Sequence, residues 1–471
     1  MSSVSALNSL LSSSTTSASS IDLSSILQTT TNASSSGIDV TSAVNAAITA
    51  AQAPETAWEN QISTLQSQAT ALQQLQSDTS KLDNDIQALN SITGPLSART
   101  VTSSNSAAVT ASAAAGSTPG NHVLVVSNLA TTASWTSGVF AASTTALPAG
   151  SFTITTGTGA TATITTDGTQ TVSDVASQIN GDNLGLSANV ITDANGSRLA
   201  IVAKSSGSAA NFTVTGDAGF GFAQAATGTN AALTVDGIPI SSASNTVTGT
   251  IPGVTFNLLS ANPGVEVSLG VNPDSTSAAS AINQFVTDYN TVISELSSQF
   301  TFNGTSEGVL ATDSSVRSLQ VDLLSSLGYS YTPATGTTTV SNLSALGITA
   351  NNDGTLSVNS STLQSVLQNN NSDVQSFFQG AALNGFANSL DQQLTSFTSP
   401  SNGAFTVDLK SISSQENDLA SNISNFETNY IAPLRTRLQA EYSQAEILLQ
   451  QLPAEMKQIS VELGQNTSTN G

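Results

Sequence analysis

The 471-residue chain has 9 Lys and Arg against 31 Asp and Glu, a formal net charge of −22, and only 8% charged residues where roughly a quarter is usual. Binding to nucleic acid or to an anionic membrane surface needs clustered cations, so this composition disfavours both and predicts no nucleic-acid partner. The chain contains no cysteine, which excludes disulfides, thiolate metal sites and a cysteine nucleophile.

The first segment, residues 1–37, is rich in Ser, Thr and Ala and low in complexity, which predicts a disordered leader. It lacks the basic region and the continuous apolar region of a Sec signal peptide. The whole sequence has no run of about 18 apolar residues, so membrane insertion is not expected. A cytosolic enzyme would have these features, and so would a protein exported unfolded through a dedicated channel. The low charge and the missing cysteines favour the second class.

Residues 38–98 predict a long helical segment, the N-terminal leg. Asp39 or Thr41 can cap its start, and Pro54 breaks or restarts the helix because a proline ring without an N–H does not fit a helix interior. After Pro54 the apolar residues recur in steps of three and four, the spacing of a coiled-coil helix that faces a partner, and this register slips at Leu75. The residues of this N-terminal seam are Trp58, Ile62, Leu65, Ala69, Leu72, Leu82, Ile86 and Leu89.

Over residues 99–271 apolar and polar residues alternate, and Gly, Asn, Asp and Pro recur at short spacing, which predicts a β-rich head with hairpins. The pattern predicts an inner head domain from residues 99–138 with 230–272 and an outer head domain from residues 139–229. One short helix is expected within the outer domain, where Ser173 can act as its cap.

Residues 273–402 predict a helical leg domain that contains one β-hairpin. The turn of the hairpin is the pair Asp353 and Gly354, which stands between alternating apolar residues. Asn359 can then cap the helix that follows. The stretch of residues 343–367, which holds the hairpin and the start of this helix, specifies a shape in detail, and its only ionisable residue is the turn aspartate.

Residues 403–471 predict a C-terminal coiled coil that is bent near Pro433. The residues of this C-terminal seam are Leu419, Ile423, Phe426, Tyr430, Leu438, Leu448 and Leu452. Two apolar seams at opposite ends of a chain bury each other only if the chain folds back, and otherwise they need an oligomer. The sequence therefore predicts an α+β fold, in which long N- and C-terminal helices form a coiled-coil stalk and a β-rich head of one or two domains is inserted between them.

Residues suited to catalysis or ligand binding are scarce. His122 is the single histidine, and its neighbours in the sequence offer neither a nucleophile nor an orienting carboxylate, so a structural role is expected. The turns that contain Asp167, Asp193 and Asp353 lack the ligand spacing of an EF-hand calcium loop. The glycines form no phosphate-binding or dinucleotide fingerprint. The sequence predicts no enzymatic activity, no cofactor and no metal site.

Four stretches of the chain resemble one protein family. GIDVTSAVNAAITAAQAPETAWENQ resembles the opening pattern of that family, with Gly, Asp and Val, an apolar helix, a proline and a Gln- and Leu-rich coil. VDGIPISSASNTVTGTIPGVTFNLLS resembles its return from head to stalk, and LSALGITANNDGTLSVNSSTLQSVL resembles its C-terminal block. TVSDVASQINGDNLGLSANV is similar to the flagellin and hook repeat motif. In their order along the chain these stretches resemble the bacterial flagellar filament cap family, flagellar hook-associated protein 2 (FliD).

The resemblance implies a structural protein without a cofactor, a cap at the distal tip of the filament that promotes flagellin polymerisation and prevents subunit leakage. Members of the family form a small ring, often pentameric. The implied partners are further copies of the chain, flagellin, hook–filament junction proteins, the flagellar type III export apparatus and an export chaperone. The implied location is extracellular, after secretion. The alternatives are a flagellar adhesin that binds host or surface glycans, a hook–filament junction protein and an enzyme of the flagellar tip.

Overall fold

The computed structural model describes residues 39–216, 219–302, 307–333, 336–380 and 384–466. Within them the chain divides into two compact units. The stretches of the first unit are residues 39–76, 299–302, 307–313 and 399–466, and those of the second are the described residues of 77–298 and 314–398. The leader that the sequence predicts to be disordered, residues 1–37, lies outside the described residues. In the described ranges no helix combines the length and the apolar character needed to cross a membrane.

The chain alternates between helical ends and a strand-rich middle. The helices are α1 (Val40–Ala51), α2 (Ala53–Asn90), α3 (Val172–Gly181), α4 (Ser275–Phe300), α5 (Ser314–Ser326), α6 (Ser360–Asn369), α7 (Asn371–Gln379), α8 (Phe386–Thr398), α9 (Ala404–Phe426) and α10 (Ala432–Asn466). The strands are β1 (Arg99–Ser103), β2 (Val109–Ala113), β3 (Gly120–Asn128), β4 (Ser134–Thr136), β5 (Gly150–Thr156), β6 (Thr161–Thr166), β7 (Leu186–Asp193), β8 (Gly196–Ala203), β9 (Phe212–Thr215), β10 (Ala223–Ala226), β11 (Ala231–Val235), β12 (Ile238–Ser242), β13 (Thr246–Thr248), β14 (Val254–Leu258), β15 (Val267–Pro273), β16 (Ile348–Ala350) and β17 (Leu356–Val358).

The first two helices are separated where the sequence places a proline. Asp39 caps α1, because its Oδ1 accepts a hydrogen bond from the N–H of Ser42 at 3.1 Å. Helix α1 ends at Ala51 and α2 begins at Ala53, so Pro54 lies in the first turn of α2. The N–H groups of a first turn have no partner within the helix, so a proline there costs no helical hydrogen bond. The restart at Pro54 is therefore confirmed.

The strands form two groups, each around its own core. A five-stranded sheet (order β1-β15-β3-β11-β12) and a three-stranded sheet (order β13-β14-β2) share one core, in which Leu124, Phe256 and Leu269 are fully buried. A four-stranded sheet (order β10-β4-β8-β7), a three-stranded sheet (order β6-β5-β9) and α3 share the other, which contains Phe152 and Ile179. Neighbouring strands are antiparallel, and alternate side chains enter the core. Hairpins connect consecutive neighbours such as β7 and β8 or β11 and β12, whereas pairs such as β1 and β15 join distant parts of the chain.

Helix α3 is present where a short helix was expected, but its cap is Thr171. Thr171 Oγ1 accepts from the N–H of Asp174 at 3.2 Å, and Asp174 Oδ2 accepts from the N–H of Thr171 at 2.8 Å. These reciprocal bonds form a capping box, which satisfies two amide donors with one pair of side chains. The expectation that Ser173 caps the helix was wrong, because Ser173 lies inside the first turn and its hydroxyl donates to Ser143 O at 3.3 Å.

The hairpin expected around the Asp-Gly pair is confirmed. Strands β16 and β17 pair in antiparallel register, with Ile348 opposite Val358. Gly354 in the turn has a φ of +85°, a left-handed conformation that glycine adopts without steric cost. Asn359 Oδ1 then accepts from the N–H of Thr362 at 3.0 Å and caps α6.

The helices of the second unit bury one broad face of α4 together with an aromatic cluster. Phe285 on α4 meets Phe386 on α8 edge to face, with ring centroids 6.0 Å apart. Phe386 stacks on Phe377 of α7 at 5.5 Å. Such ring pairs add favourable electrostatic geometry to the area that they bury.

Between α9 and α10 the backbone changes its hydrogen-bond pattern. Residues Glu427–Ile431 form a π-helical segment, and Pro433 follows within the first turn of α10. A proline supplies no N–H to the preceding turn and crowds the carbonyl four residues earlier, so a local departure from α geometry is expected beside it. This is the place where the sequence predicts a bend.

The α+β class is confirmed, since sheets occupy the middle of the chain and long helices lie toward both ends. The division into a leader, an N-terminal leg, two head domains, a leg domain and a C-terminal coiled coil stays a prediction.

Candidate assembly surface

One predicted residue from each seam lines a groove in the first unit. Leu65 on α2 and Leu419 on α9 both face this groove, which has a volume of about 530 Å³. Its remaining lining residues are polar: Gln61, Thr64, Gln68, Gln415 and Asp418. Ile62 and Leu65 are half-buried, whereas Leu72 is fully buried. An apolar floor with amide side chains at its rim can receive another helix without demanding an opposite charge.

An aromatic cluster continues the seam toward the π-helical segment. The ring of Trp58 meets Phe426 edge to face at 5.6 Å, and Phe426 stacks on Tyr430 at 5.1 Å. Phe426 and Ile423 are half-buried. The structure thus places Trp58 of the N-terminal seam against Phe426 of the C-terminal seam.

Polar side chains tie the same region together. Gln52 Nε2 donates to Glu55 Oε2 at 3.1 Å and to Glu427 Oε1 at 2.8 Å. Burial and the neighbouring Glu427 raise the pKa of Glu55 above its usual value. Two glutamates therefore share one amide here, in place of the oppositely charged pairs common in coiled coils.

Helix α1 packs on the start of α10. Val44 and Ile48 of α1 and Ile431 form the buried centre of this contact, with the predicted seam residue Leu438 beside them. Arg435 Nη1 donates to Asn45 Oδ1 at 3.5 Å. Since Asn45 lies opposite Arg435 while Gln52 lies opposite Glu427, the two segments run antiparallel.

Ile431 is a residue of this surface that the sequence reasoning missed. The regular helical step from Phe426 selects Tyr430, which is 51% exposed, whereas Ile431 is 1% exposed. The π-helical segment contains one more residue per turn than an α-helix, so the next residue along the chain turns inward. The nearby Pro433 is the sequence signal that such an irregularity was close.

The later residues of the N-terminal seam lie in the second unit. Leu82, Ile86 and Leu89 are fully buried there. Gln379 Nε2 of α7 donates to Leu89 O at 3.4 Å and to Ser91 O at 3.0 Å, which fixes the end of α2 within that unit. The N-terminal seam that the sequence predicts is therefore divided between the two units, because the single helix α2 contributes residues to both.

The second half of α10 presents apolar side chains to solvent. The predicted seam residue Leu448 is 62% exposed and its neighbour Ile447 is 56% exposed. Further along the helix, Met456 is 64% exposed and Ile459 is 55% exposed. Leu452, the last predicted seam residue, lies in α10, but its side chain is outside the described ones. An apolar helix face that stays in water indicates a surface for a partner.

His122 has a carboxylate partner that its sequence neighbourhood does not reveal. Its Nδ1 lies 2.7 Å from Asp236 Oδ2, and the N–H of Val123 donates to Asp236 Oδ1 at 2.9 Å. These hydrogen bonds lower the pKa of the Asp236 carboxyl, with the bond to His122 the largest cause. Asp236 and Gly237 both have positive φ at the β11–β12 turn, so the turn geometry places the carboxylate under β3.

This His-Asp pair stands beside a shallow hollow of about 650 Å³ whose lining includes Ile238, Thr250 and Ile251. Threonine hydroxyls line it, and no histidine-activated nucleophile is recorded in this hollow among the described residues. Among all the residues that the structure describes, no group of three or more His, Asp or Glu side chains is arranged to hold a metal ion.

Comparison with known proteins gives the family of this chain. The model of the flagellar hook-associated protein 2 N-terminus matches residues 36–133, the model of its C-terminus matches residues 228–454, and the flagellin hook IN motif matches residues 151–205. The B-type flagellar hook-associated protein 2 of Pseudomonas aeruginosa is 30% identical over 399 residues, which cover 76% of this chain and 82% of that protein. Flagellar hook-associated protein 2 of Aeromonas caviae is 29% identical over 395 residues, covering 77% and 83%.

Among solved structures, the D1-D2-D3 domains of the flagellar cap protein FliD from Escherichia coli are similar with a TM-score of 0.61 and 25% sequence identity. The match covers 73% of this chain and 99% of that structure. The order of the matched family models along the chain is the order in which the sequence motifs occur. The chain therefore belongs to the flagellar hook-associated protein 2 family, a structural family of flagellar caps rather than of enzymes.

Proposed function

We propose that this flagellar cap promotes the polymerisation of flagellin at the filament tip and keeps flagellin subunits from leaking into the medium. The observation that carries the proposal is the exposed apolar face of α10, in which Ile447 and Leu448 are more than half exposed. A protein with 8% charged residues that leaves such side chains in water is built to bind another protein surface.

The groove on α2 and α9 is a second surface of the first unit in this proposal. Leu65 and Leu419 are the apolar residues of this groove, which has a volume of about 530 Å³ and is otherwise lined by polar side chains, most of them amides. Helices that dock in apolar grooves are held by anchors at helical spacing, so both surfaces suit helical partners. The partners in this proposal are neighbouring copies of the chain in a small ring, often pentameric in the family, and flagellin.

The mechanism is steric and needs no covalent step. A ring with few subunits does not match a filament lattice with more positions per turn, so its helical legs leave one gap at a time for the next flagellin. The pair of His122 and Asp236 takes no part in this, since its hydrogen bonds join strands of one sheet.

Secretion belongs to the same proposal. The chain would be exported unfolded by the flagellar type III apparatus with an export chaperone, and would meet the hook–filament junction proteins before the filament grows. The absence of cysteine supports threading, because no disulfide can form first. The alternatives, an adhesin and a junction protein, are not favoured by the family matches.

The test is a deletion of the gene complemented with three forms of the protein: wild type, Ile447→Ser with Leu448→Ser, and Ile191→Ser. Ile191 is 58% exposed on β7, so it controls for the loss of an exposed apolar side chain elsewhere. We expect the deletion strain and the α10 double variant to release flagellin into the medium and to make short filaments, and the Ile191 variant to match wild type. Normal filaments in the deletion strain would refute the cap function. Normal filaments with the double variant would refute the assignment of α10.

A further inference from the structure

Acidic side chains of α2 meet acidic side chains of α4 at two places in the second unit. Asp85 lies next to Asp288, and Asp78 lies next to Glu295, close enough for each carboxyl group to act on its partner. The two pairs lie seven residues apart on both helices, in opposite chain directions. Seven residues are about two helical turns, so these pairs are successive contacts of two antiparallel helices.

A third acidic pair joins α2 to α8. Asp83 lies next to Asp391, and its Oδ2 accepts from Thr398 Oγ1 at 3.4 Å. Gln87, one turn further along α2, lies near the same carboxyl group and partly offsets the rise in its pKa. We call the three contacts, Asp78–Glu295, Asp83–Asp391 and Asp85–Asp288, the carboxyl pairs.

The carboxyl pairs are partly shielded from water, with Asp78 and Asp83 buried and the other four side chains half-buried. Asp78 is 7% exposed and Asp83 is 8% exposed. Asp83 Oδ1, Asp85 Oδ2 and Glu295 Oε2 are buried oxygens that receive no hydrogen bond from an N–H or hydroxyl group in the described part of the chain. Two ionised carboxylates in contact under these conditions repel strongly, whereas a pair that shares one proton is held by a hydrogen bond.

One ammonium group adjoins this set. Lys81 Nζ bonds Asp78 Oδ1 at 2.7 Å, but the lysine side chain is 59% exposed. Its charge also acts on Glu295, where it opposes the repulsion from Asp78. The acidic groups that face one another across the helices are thus those of α2, α4 and α8 in the three pairs, and Lys81 moderates one of them.

Burial and repulsion between neighbouring carboxylates both raise the pKa values of these groups. Burial, then Asp288, raises the pKa of Asp85 to about 7, and burial, then Asp391, raises the pKa of Asp83 to about 6. Burial, then Asp78, raises the pKa of Glu295 to about 7. The folded second unit therefore holds protons that the unfolded chain has already released at the same pH.

We propose that the carboxyl pairs make the packing of α2 against α4 and α8 depend on bound protons, so that mildly acidic pH tightens the helical part of the second unit and pH above neutrality loosens it. A carboxyl with a raised folded pKa contributes its stability fully below the unfolded value near 4. That contribution is lost as pH rises through the folded value. The window of change is therefore about pH 4 to 7. The inference concerns the unit itself and does not depend on the cap function.

The experiment measures amide hydrogen exchange of residues 77–90 and 275–298 by mass spectrometry at pH 5.5 and pH 8, corrected for intrinsic rates. The test variant combines Asp83→Asn, Asp85→Asn and Glu295→Gln, whose amides keep the shape and donate to the remaining carboxylate at every pH. The control variant is Asp182→Asn, which removes an exposed carboxylate at the end of α3.

In wild type and in the control we expect protection of these helices to fall about tenfold or more from pH 5.5 to pH 8, since a shift of one pKa unit is a factor of ten. In the triple variant we expect less than a twofold fall. The proposal would be overturned if protection in wild type did not change between pH 5.5 and pH 8. It would also be overturned if protection in the triple variant fell as much as in wild type. If the triple variant does not fold, the infrared carbonyl band of protonated carboxyl groups in wild type decides. Its persistence above pH 5.5 supports the carboxyl pairs, and its complete loss below pH 5 refutes them.

Discussion

Gly354 shows how a single residue fixes a local shape in this protein. Its φ is +85°, and a Cβ on it would lie 2.9 Å from Leu324 Cδ2 and 3.5 Å from Ile293 Cγ2. The residue thus meets two demands at once, a left-handed backbone and a close approach to the helices beneath the β16–β17 hairpin. Asp353 beside it accepts from the hydroxyl of Thr355 at 2.6 Å and from the N–H of Thr355 at 3.0 Å, and these bonds close the turn and lower the pKa of the aspartate.

At this scale we predict that Gly354→Ala destabilises the hairpin by about 1–2 kcal/mol through backbone strain, with an added penalty from the contact with Leu324. The matched control is Gly249→Ala, because Gly249 has a φ of +76° and open space around its Cβ position. Hydrogen exchange of residues 348–358 and 246–258 measures the two effects separately. Equal losses at the two turns would show that the contact with Leu324 contributes nothing.

Among whole elements, sequence patterns were most informative where local chemistry decides the structure. The restart of α2 at Pro54 and the cap of α6 at Asn359 depend on side chains within four residues, and both were predicted. The division of α2 between the two units was not predicted, because Leu72 in the first unit and Leu82 in the second are both buried members of one apolar seam on one helix. The same limit applies to Asp236, which reaches His122 from 114 residues away.

For the helix pair of the first unit we predict that Leu65→Ala with Ile423→Ala loosens α9 without unfolding the sheets. Both residues are half-buried, so each loss should be about 1–2 kcal/mol, below the 2–5 kcal/mol of a fully buried leucine. The control on the same helix is Val407→Ala, since Val407 is 53% exposed and its loss should stay within about 0.5 kcal/mol. Hydrogen exchange of residues 404–426 provides the measurement. A double variant as well protected as the Val407 control would argue that these residues share no interface.

For the whole molecule, the charge pattern predicts an unusual response to pH. Asp39, Asp274 and Asp373 accept hydrogen bonds from nearby N–H and hydroxyl groups, and these bonds lower their pKa values below the usual 3.8. The stability that such groups contribute is present above the unfolded pKa and is lost only as pH falls below about 4. The carboxyl pairs act in the opposite sense, and they lose stability as pH rises toward 7. Both classes are therefore favourable together only between about pH 4 and 5.5.

We accordingly predict that the melting temperature of the full chain is highest near pH 4–5.5 and falls toward pH 8, instead of collapsing on acidification from neutral pH. The net charge of −22 would produce part of the same trend, because acid also relieves repulsion among exposed carboxylates. Salt separates the two causes. At 1 M NaCl the screening length is about 3 Å, so surface repulsion disappears while contacts between buried carboxyl groups persist. A pH profile in 1 M NaCl that still rises toward pH 5 assigns the effect to buried groups such as Asp83 and Asp85, whereas a flat profile would assign it to the surface charge alone.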